Sequence, residues 1–168
     1  MLSFIATDAQ ISESLLQEML SSSVASSFNR ITVDSDTSTN DACVLIASGQ
    51  AGDLLDDCEQ ELVDFQDALT DLMLELAQGL VRDGEGATKF VTVLVEQGES
   101  EQQCFAIAFS IANSPLIKTA LFASDANWGR IVMAIGKTDV QLDVESLDIY
   151  INDLCLMRSG TKAAEYEE

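Results

Sequence analysis

From Asp57 to Val81 the chain repeats apolar residues at helical spacing, Leu62, Phe65, Leu69, Leu72, Met73, Leu76 and Leu80, with acids covering the other side. A helix with one long apolar stripe must lay that stripe on another layer, because propensity alone does not hold it in water. Apolar runs flank it, Ala42 to Ala47 before and Phe90 to Val95 after, each with the length and composition of a strand. A methionine and leucine stripe of this kind is core, so the first requirement it sets is a packed α/β arrangement.

The rest of the chain extends the alternation. Leu2 to Ile5 reads as a short strand, and Thr7 with Gln10 fits a capping box opening a helix through Ile11, Leu15, Leu16, Met19 and Leu20. The serines from Ser21 to Ser27 weaken that helix and are expected to end it. Phe28 to Val33 is a β-rich run, followed by the polar stretch Asp34 to Asp41. After Phe90 to Val95 come a turn at Gly98-Glu99-Ser100, a helix over Gln102 to Asn113, and a second helix opened by Ser114 as N-cap with Pro115 at its first position. Trp128 to Gly136 reads as a further helix, and Leu147 to Ile151 with Leu154 to Met157 as a hairpin or two strands. The predicted order is β-α-β-β-α-β-α-α-β-β, a mixed α/β layered domain.

A length of 168 residues and 47% hydrophobic content suit one sizeable core, so a single domain over residues 1–168 is expected, or one layer of a larger one. No apolar run reaches the roughly 18 residues a membrane helix needs, and no basic segment or small-residue cleavage site opens the chain. A cytoplasmic protein is expected. With 29 acidic and 8 basic residues, a formal net charge of -21, the surface repels phosphate backbones and anionic lipid, which argues against nucleic-acid and membrane partners. The acidity fits high-salt adaptation or solubility equally. Cys43, Cys58, Cys104 and Cys155 lie far apart and read as reduced, mostly buried thiols rather than metal ligands or a disulfide frame. The sequence has no histidine, which excludes Ser-His and Cys-His nucleophile pairs and histidine metal sites within this chain.

Chemistry is therefore sought in polar blocks. In Val81-Arg82-Asp83-Gly84-Glu85-Gly86-Ala87-Thr88-Lys89, two glycines flank a lone carboxylate at a helix-to-strand junction. Either a glycine caps the helix and leaves an exposed acid, or the loop presents Glu85 to a ligand. Asp34 to Asp41 begins like a calcium loop but lacks glycine at the sixth place and has Leu45 at the twelfth, so its polar groups either satisfy one another in a turn or shape a site. Asn113 to Thr119 offers a helix start that caps itself or holds an anion with Lys118. In Asp125 to Arg130 the expected arrangement is a capped helix start, with Arg130 paired to an acid.

Together, the segments Ser27 to Asp41, Val81 to Lys89, Ser114 to Ala120 and Asp125 to Arg130 resemble, in order and spacing from Met1 to about Gly160, the β chain of the ornithine acetyltransferases, or bifunctional glutamate N-acetyltransferases, of arginine biosynthesis. The resemblance implies an α-β-β-α layered sandwich shared with self-processing aminopeptidases. It also implies a partner, the α chain of the same precursor, in an α2β2 assembly. The implied chemistry begins with self-cleavage before a threonine, which becomes the nucleophile with its own α-amino group as base. That threonine takes acetyl from N-acetylornithine and passes it to glutamate by a ping-pong route, with oxyanion donors supplied by the α chain. Glu85 matches the family's substrate-contacting glutamate, where a carboxylate suits the ammonium of an amino acid. No cofactor is implied; acetyl-CoA is an alternative acetyl donor in part of the family.

The chain departs from the family pattern in three places. The nucleophilic threonine directly precedes the Met-Leu-x-Phe-Ile-Ala-Thr-Asp run, which here starts at Met1, so it is expected immediately before Met1 and this chain alone is expected to be inactive. Residues 161–168 form a charged end where the family continues into a substrate-contacting tail, so truncation is expected there. Ser35 stands where the family usually has glycine. Two other readings remain, an amidohydrolase or aminopeptidase on the same scaffold and a non-catalytic acidic binding subunit.

Overall fold

Leu2 lies opposite Ala42, and from that pair two parallel strands run side by side: β1 (Leu2–Gln10) and β2 (Ala42–Leu54). The register holds to Thr7 opposite Ala47 and then slips, with Ala9 opposite Ala51 and Gln10 opposite Leu54. Helix α1 (Glu13–Ser26) forms the crossover that a parallel pair requires, and α2 (Glu59–Arg82) follows β2. These elements belong to the first of two units in this computed structural model, Met1–Ala87; the second begins at Thr88, and residues 1–167 are described.

Alternation along the strands sorts the first unit into layers. Ser3 and Ile5 are buried, and Cys43 and Leu45 lie on the core side with them. Ile5 packs with Met19 and Phe28 and with Leu69, Met73 and Ala77 of α2. Full burial of a side chain such as Met73 contributes about 1.5–3 kcal/mol. The predicted α2 stripe divides in two. Leu62, Phe65, Leu69 and Met73 face inward, whereas Leu72, Leu76 and Leu80 are 41–43% exposed. Leu72 precedes Met73 by one residue, about 100° around the helix, so a neighbour covering Leu69, Met73 and Ala77 leaves that row open.

Two local expectations are corrected here and one holds. Thr7 and Gln10 do not open a helix: β1 runs through Gln10, and Ser12 occupies the N-cap position of α1. The ladder to β2 supplies backbone partners that a helix would forgo, so tertiary pairing overrides the local cap signal. The serine run ends α1 as expected, the helix closing at Ser26 with Ser27 as its C-cap, and within it Ser21 Oγ donates to Gln17 O (2.8 Å) and Ser26 Oγ to Ser22 O (3.0 Å). Buried Ser23 instead meets α2, 3.0 Å from Thr70 Oγ1 and accepting from Gln66 Nε2 at 2.7 Å. Phe28 to Val33 is not a strand; Phe28–Arg30 is a short 3-10 turn that puts the Phe28 ring in the core.

The second unit packs α3 (Glu101–Ala112), α4 (Pro115–Phe122) and α5 (Trp128–Gly136) with an antiparallel sheet of β3 (Ile149–Ile151), β4 (Leu154–Arg158) and β5 (Thr161–Lys162). Its core joins Ile107 and Ile111 of α3, Ile117, Ala134 and Ile135 with Ile149 and Met157. Ser100 caps α3 by accepting from Gln103 N at 3.1 Å. The predicted strand Phe90 to Val95 belongs to neither sheet. Val93 and Val95 pack inward while Leu94 is 75% exposed, so the period-2 pattern is present without a ladder. Among the described residues no single helix is long and apolar enough to cross a membrane. The cysteines are free thiols, Cys155 buried and the other three half-buried, less enclosed than expected.

Candidate functional site

Helix α2 ends in a tight sequence of backbone bonds. Asp83 N donates to Gly79 O (3.0 Å), Gly84 N to Val81 O (3.3 Å) and Ala87 N to Gly84 O (2.9 Å). The last bond closes a four-residue turn with Glu85 second and Gly86 third. Gly86 lies at φ +71°, the left-handed conformation that favours glycine at this place. The residue capping α2 is Asp83 rather than a glycine. Gly84 serves a different end, close approach: a Cβ there would stand 3.2 Å from Val81 O and 3.5 Å from Val33 Cγ1. Glu85 is exposed at the tip and makes no side-chain hydrogen bond or ion pair among the described residues.

Val33 leads into the polar loop 34–41, so the Glu85 turn rests at the foot of that loop. Inside it, Asp34 Oδ1 accepts from Asp36 N (2.9 Å) and Ser38 Oγ from Asn40 N (3.2 Å). The loop's groups thus largely satisfy its own backbone, and among the described residues no three acids or cysteines gather to hold a metal ion. Ser35 lies at φ +76°, the left-handed conformation that favours glycine.

The far end of the loop meets the start of β1. Asp41 Oδ1 forms an ion pair with the terminal ammonium of Met1, and its Oδ2 accepts from Ser38 N at 3.4 Å. These bonds, the one from Met1 first, hold the Asp41 carboxyl below its ordinary pKa. Sequence reasoning gave Asp41 no separate role. The signal lay in the two strand starts: parallel strands beginning at Leu2 and Ala42 set residue 41 beside residue 1.

The other two blocks lie in the second unit, where they stitch helices together. Asn127 caps α5 by accepting from Arg130 N (3.1 Å) and donates Nδ2 to Asp125 Oδ2 (2.9 Å). Among the described residues Arg130 pairs with no acid, contrary to expectation; its Nη1 donates to Leu116 O (2.7 Å) and Thr119 Oγ1 (3.1 Å), tying α5 to α4. Trp128 packs on the core. Ser114 occupies the N-cap position before Pro115 and is buried, but its hydroxyl makes no cap bond.

The profile of the ArgJ family matches residues 1–168, every residue of the sequence. The chain belongs to the ArgJ family. The match takes in the charged end beyond Gly160. The arginine biosynthesis bifunctional protein ArgJ of Psychrobacter arcticus is 53% identical over 171 residues, covering 100% of this chain and 42% of that protein. The protein of the same name from Pseudomonas syringae pv. tomato is 50% identical over 172 residues, with the same coverage. The crystal structure of ArgJ from Bacillus halodurans matches with a TM-score of 0.93 at 41% identity, covering 99% of this chain and 78% of that one. The fold is therefore the ArgJ α/β layered fold. The chain spans 42% of the length of the curated ArgJ relatives it matches.

Proposed function

We propose that this chain is the β chain of an ornithine acetyltransferase, moving acetyl from N-acetylornithine to glutamate in arginine biosynthesis. The observation that carries the reading is the ArgJ match over all of residues 1–168, with relatives named for a bifunctional role in that pathway at 50% identity and above. The nucleophile is the threonine expected immediately before Met1, freed by self-cleavage of a precursor. Its hydroxyl attacks the acetyl carbonyl of N-acetylornithine, its amino group takes the hydroxyl proton, and the C–N bond breaks as ornithine leaves with that proton. The glutamate amine then attacks the acyl-threonine ester, the C–O bond breaks, and the hydroxyl regains a proton. Glu85 binds the ammonium of the amino-acid substrate; its exposed position in a turn with Gly86 at φ +71° supports that role.

The complete enzyme includes the α chain of the same precursor, as an α2β2 assembly in the cytoplasm. An uncovered sheet face supports a further layer: Leu2 and Phe4 on β1 are 67% and 71% exposed, with Val44 and Ile46 beside them on β2. No cofactor is needed for the transfer, with acetyl-CoA as an alternative donor. The test is acetyl transfer by the complete protein with N-acetylornithine, in the presence and absence of glutamate. N-acetylglutamate formation supports the reading, whereas acetate release independent of glutamate assigns a hydrolase instead.

A further inference from the structure

We propose that Phe90 to Val95 is a strand-addition site, taken by a β-strand from the part of the ArgJ polypeptide outside these 168 residues; the inference rests on the reading of this chain as one piece of a longer precursor. Lys89 anchors the start of the segment, its Nζ donating to Phe122 O at 3.2 Å. From there the chain is built as a strand. Val91, Thr92, Val93 and Val95 are β-branched, the residues that suit a pleated, half-buried surface. Val93 and Val95 pack on the core of the second unit, whereas Leu94 between them is 75% exposed. The ladder that gives such alternation its use is missing: residues 91–95 make no backbone–backbone hydrogen bond among the described residues.

A row of unpaired N–H and C=O groups on an apolar segment is a template for a further strand. Exposed edges are ordinarily guarded by charge or proline, and Phe90 to Val95 contains neither a charged residue nor a proline. Two occupants compete for this edge. A second copy would bring a net charge of -21 against another of -21, a repulsion that opposes close pairing. The remainder of the precursor is the better fit: the chain spans 42% of the length of its curated relatives, so more than half of such a protein lies outside it. Leu94 offers the incoming strand an apolar side chain for cross-strand contact.

The test replaces Leu94 with the photo-crosslinking residue benzoylphenylalanine in the complete protein and maps the captured peptide by mass spectrometry. Hydrogen exchange of the 91–95 amides is read in the wild type, with acetyl transfer measured on the same preparation. Capture of a peptide from outside residues 1–168 is expected, with amide exchange slowed on the order of 100-fold or more relative to an unstructured peptide. If the Leu94 variant does not assemble, the same substitution at exposed Thr92 takes its place. Capture confined to residues 1–168, from the same or a second copy, no capture from either position, or amides exchanging as fast as an unstructured peptide overturns the inference. Active wild type with any of these results leaves the transferase reading standing. Inactive wild type with capture of an outside peptide removes the transferase reading and leaves the pairing.

Discussion

Gly84 lies against Val33, so close that a Cβ on the glycine would stand 3.5 Å from Val33 Cγ1 and 3.2 Å from the Val81 carbonyl oxygen. This contact joins two polar blocks that are far apart in sequence. Gly84→Val brings branched methyl groups into that space and displaces the Glu85 turn. In the complete protein it is expected to raise KM for the amino-acid substrates about 10-fold or more, with the circular dichroism of the wild type retained. Unchanged kinetics would show that the Val33 contact has no bearing on Glu85.

Glu85 itself should matter for binding and little for folding, being exposed without a side-chain partner among the described residues. A lost charge-assisted hydrogen bond is worth about 1.5–3 kcal/mol, so Glu85→Ala is expected to reduce kcat/KM about 10- to 150-fold at unchanged thermal stability. Wild-type kinetics in this variant would remove Glu85 from the site.

Two backbone positions predict stability changes of opposite sign. Ser35 at φ +76° carries a left-handed conformation that costs an L residue about 1–2 kcal/mol, partly offset by the greater freedom of an unfolded glycine. Ser35→Gly should therefore stabilise by about 0.5–1 kcal/mol. Gly86→Ala, at φ +71° with open space around it, should destabilise by about 1 kcal/mol through the backbone alone. Denaturant unfolding of both variants checks the pair.

Asp56 links the start of α1 to the end of β2, its Oδ1 accepting from Ser12 N at 3.0 Å. Interactions with Ser12, through its side chain and then its backbone N–H, hold the Asp56 carboxyl below its ordinary value of 3.8. A lowered folded-state pKa contributes stability that is present above the unfolded value and is lost as pH falls through the folded one. The stability difference between wild type and Asp56→Asn should thus be flat at neutral pH and shrink as pH drops below 3.8. A difference that stays constant into that acid range would contradict the Ser12 contact.

Much of this was legible in the residues, for reasons that differ by position. The α2 stripe was readable because Leu62, Phe65, Leu69 and Met73 encode their own periodicity, and Asn127 announced α5 by a local cap. Strands were harder, since a ladder depends on a neighbour that sequence does not name. Phe90 to Val95 alternates as a strand should yet pairs with nothing in either sheet, and β1 runs on through Thr7 and Gln10 because β2 lies beside it. Side-chain reach was the least readable. The Asp41 contact to Met1 and the Arg130 bonds to Leu116 and Thr119 depend on the packing of separate elements. Family blocks singled out Glu85 as a candidate from the sequence, while the close approach of Gly84 to Val33 appeared only in the folded chain.

The most direct measurement mixes the complete protein with N-acetylornithine in the absence of glutamate and maps the acetyl group by peptide mass spectrometry. One acetyl group on the threonine before Met1, discharged when glutamate is added, is the predicted result. Turnover without any acetylated peptide, or acetyl found on another residue and discharged by glutamate, would contradict the acyl-threonine mechanism.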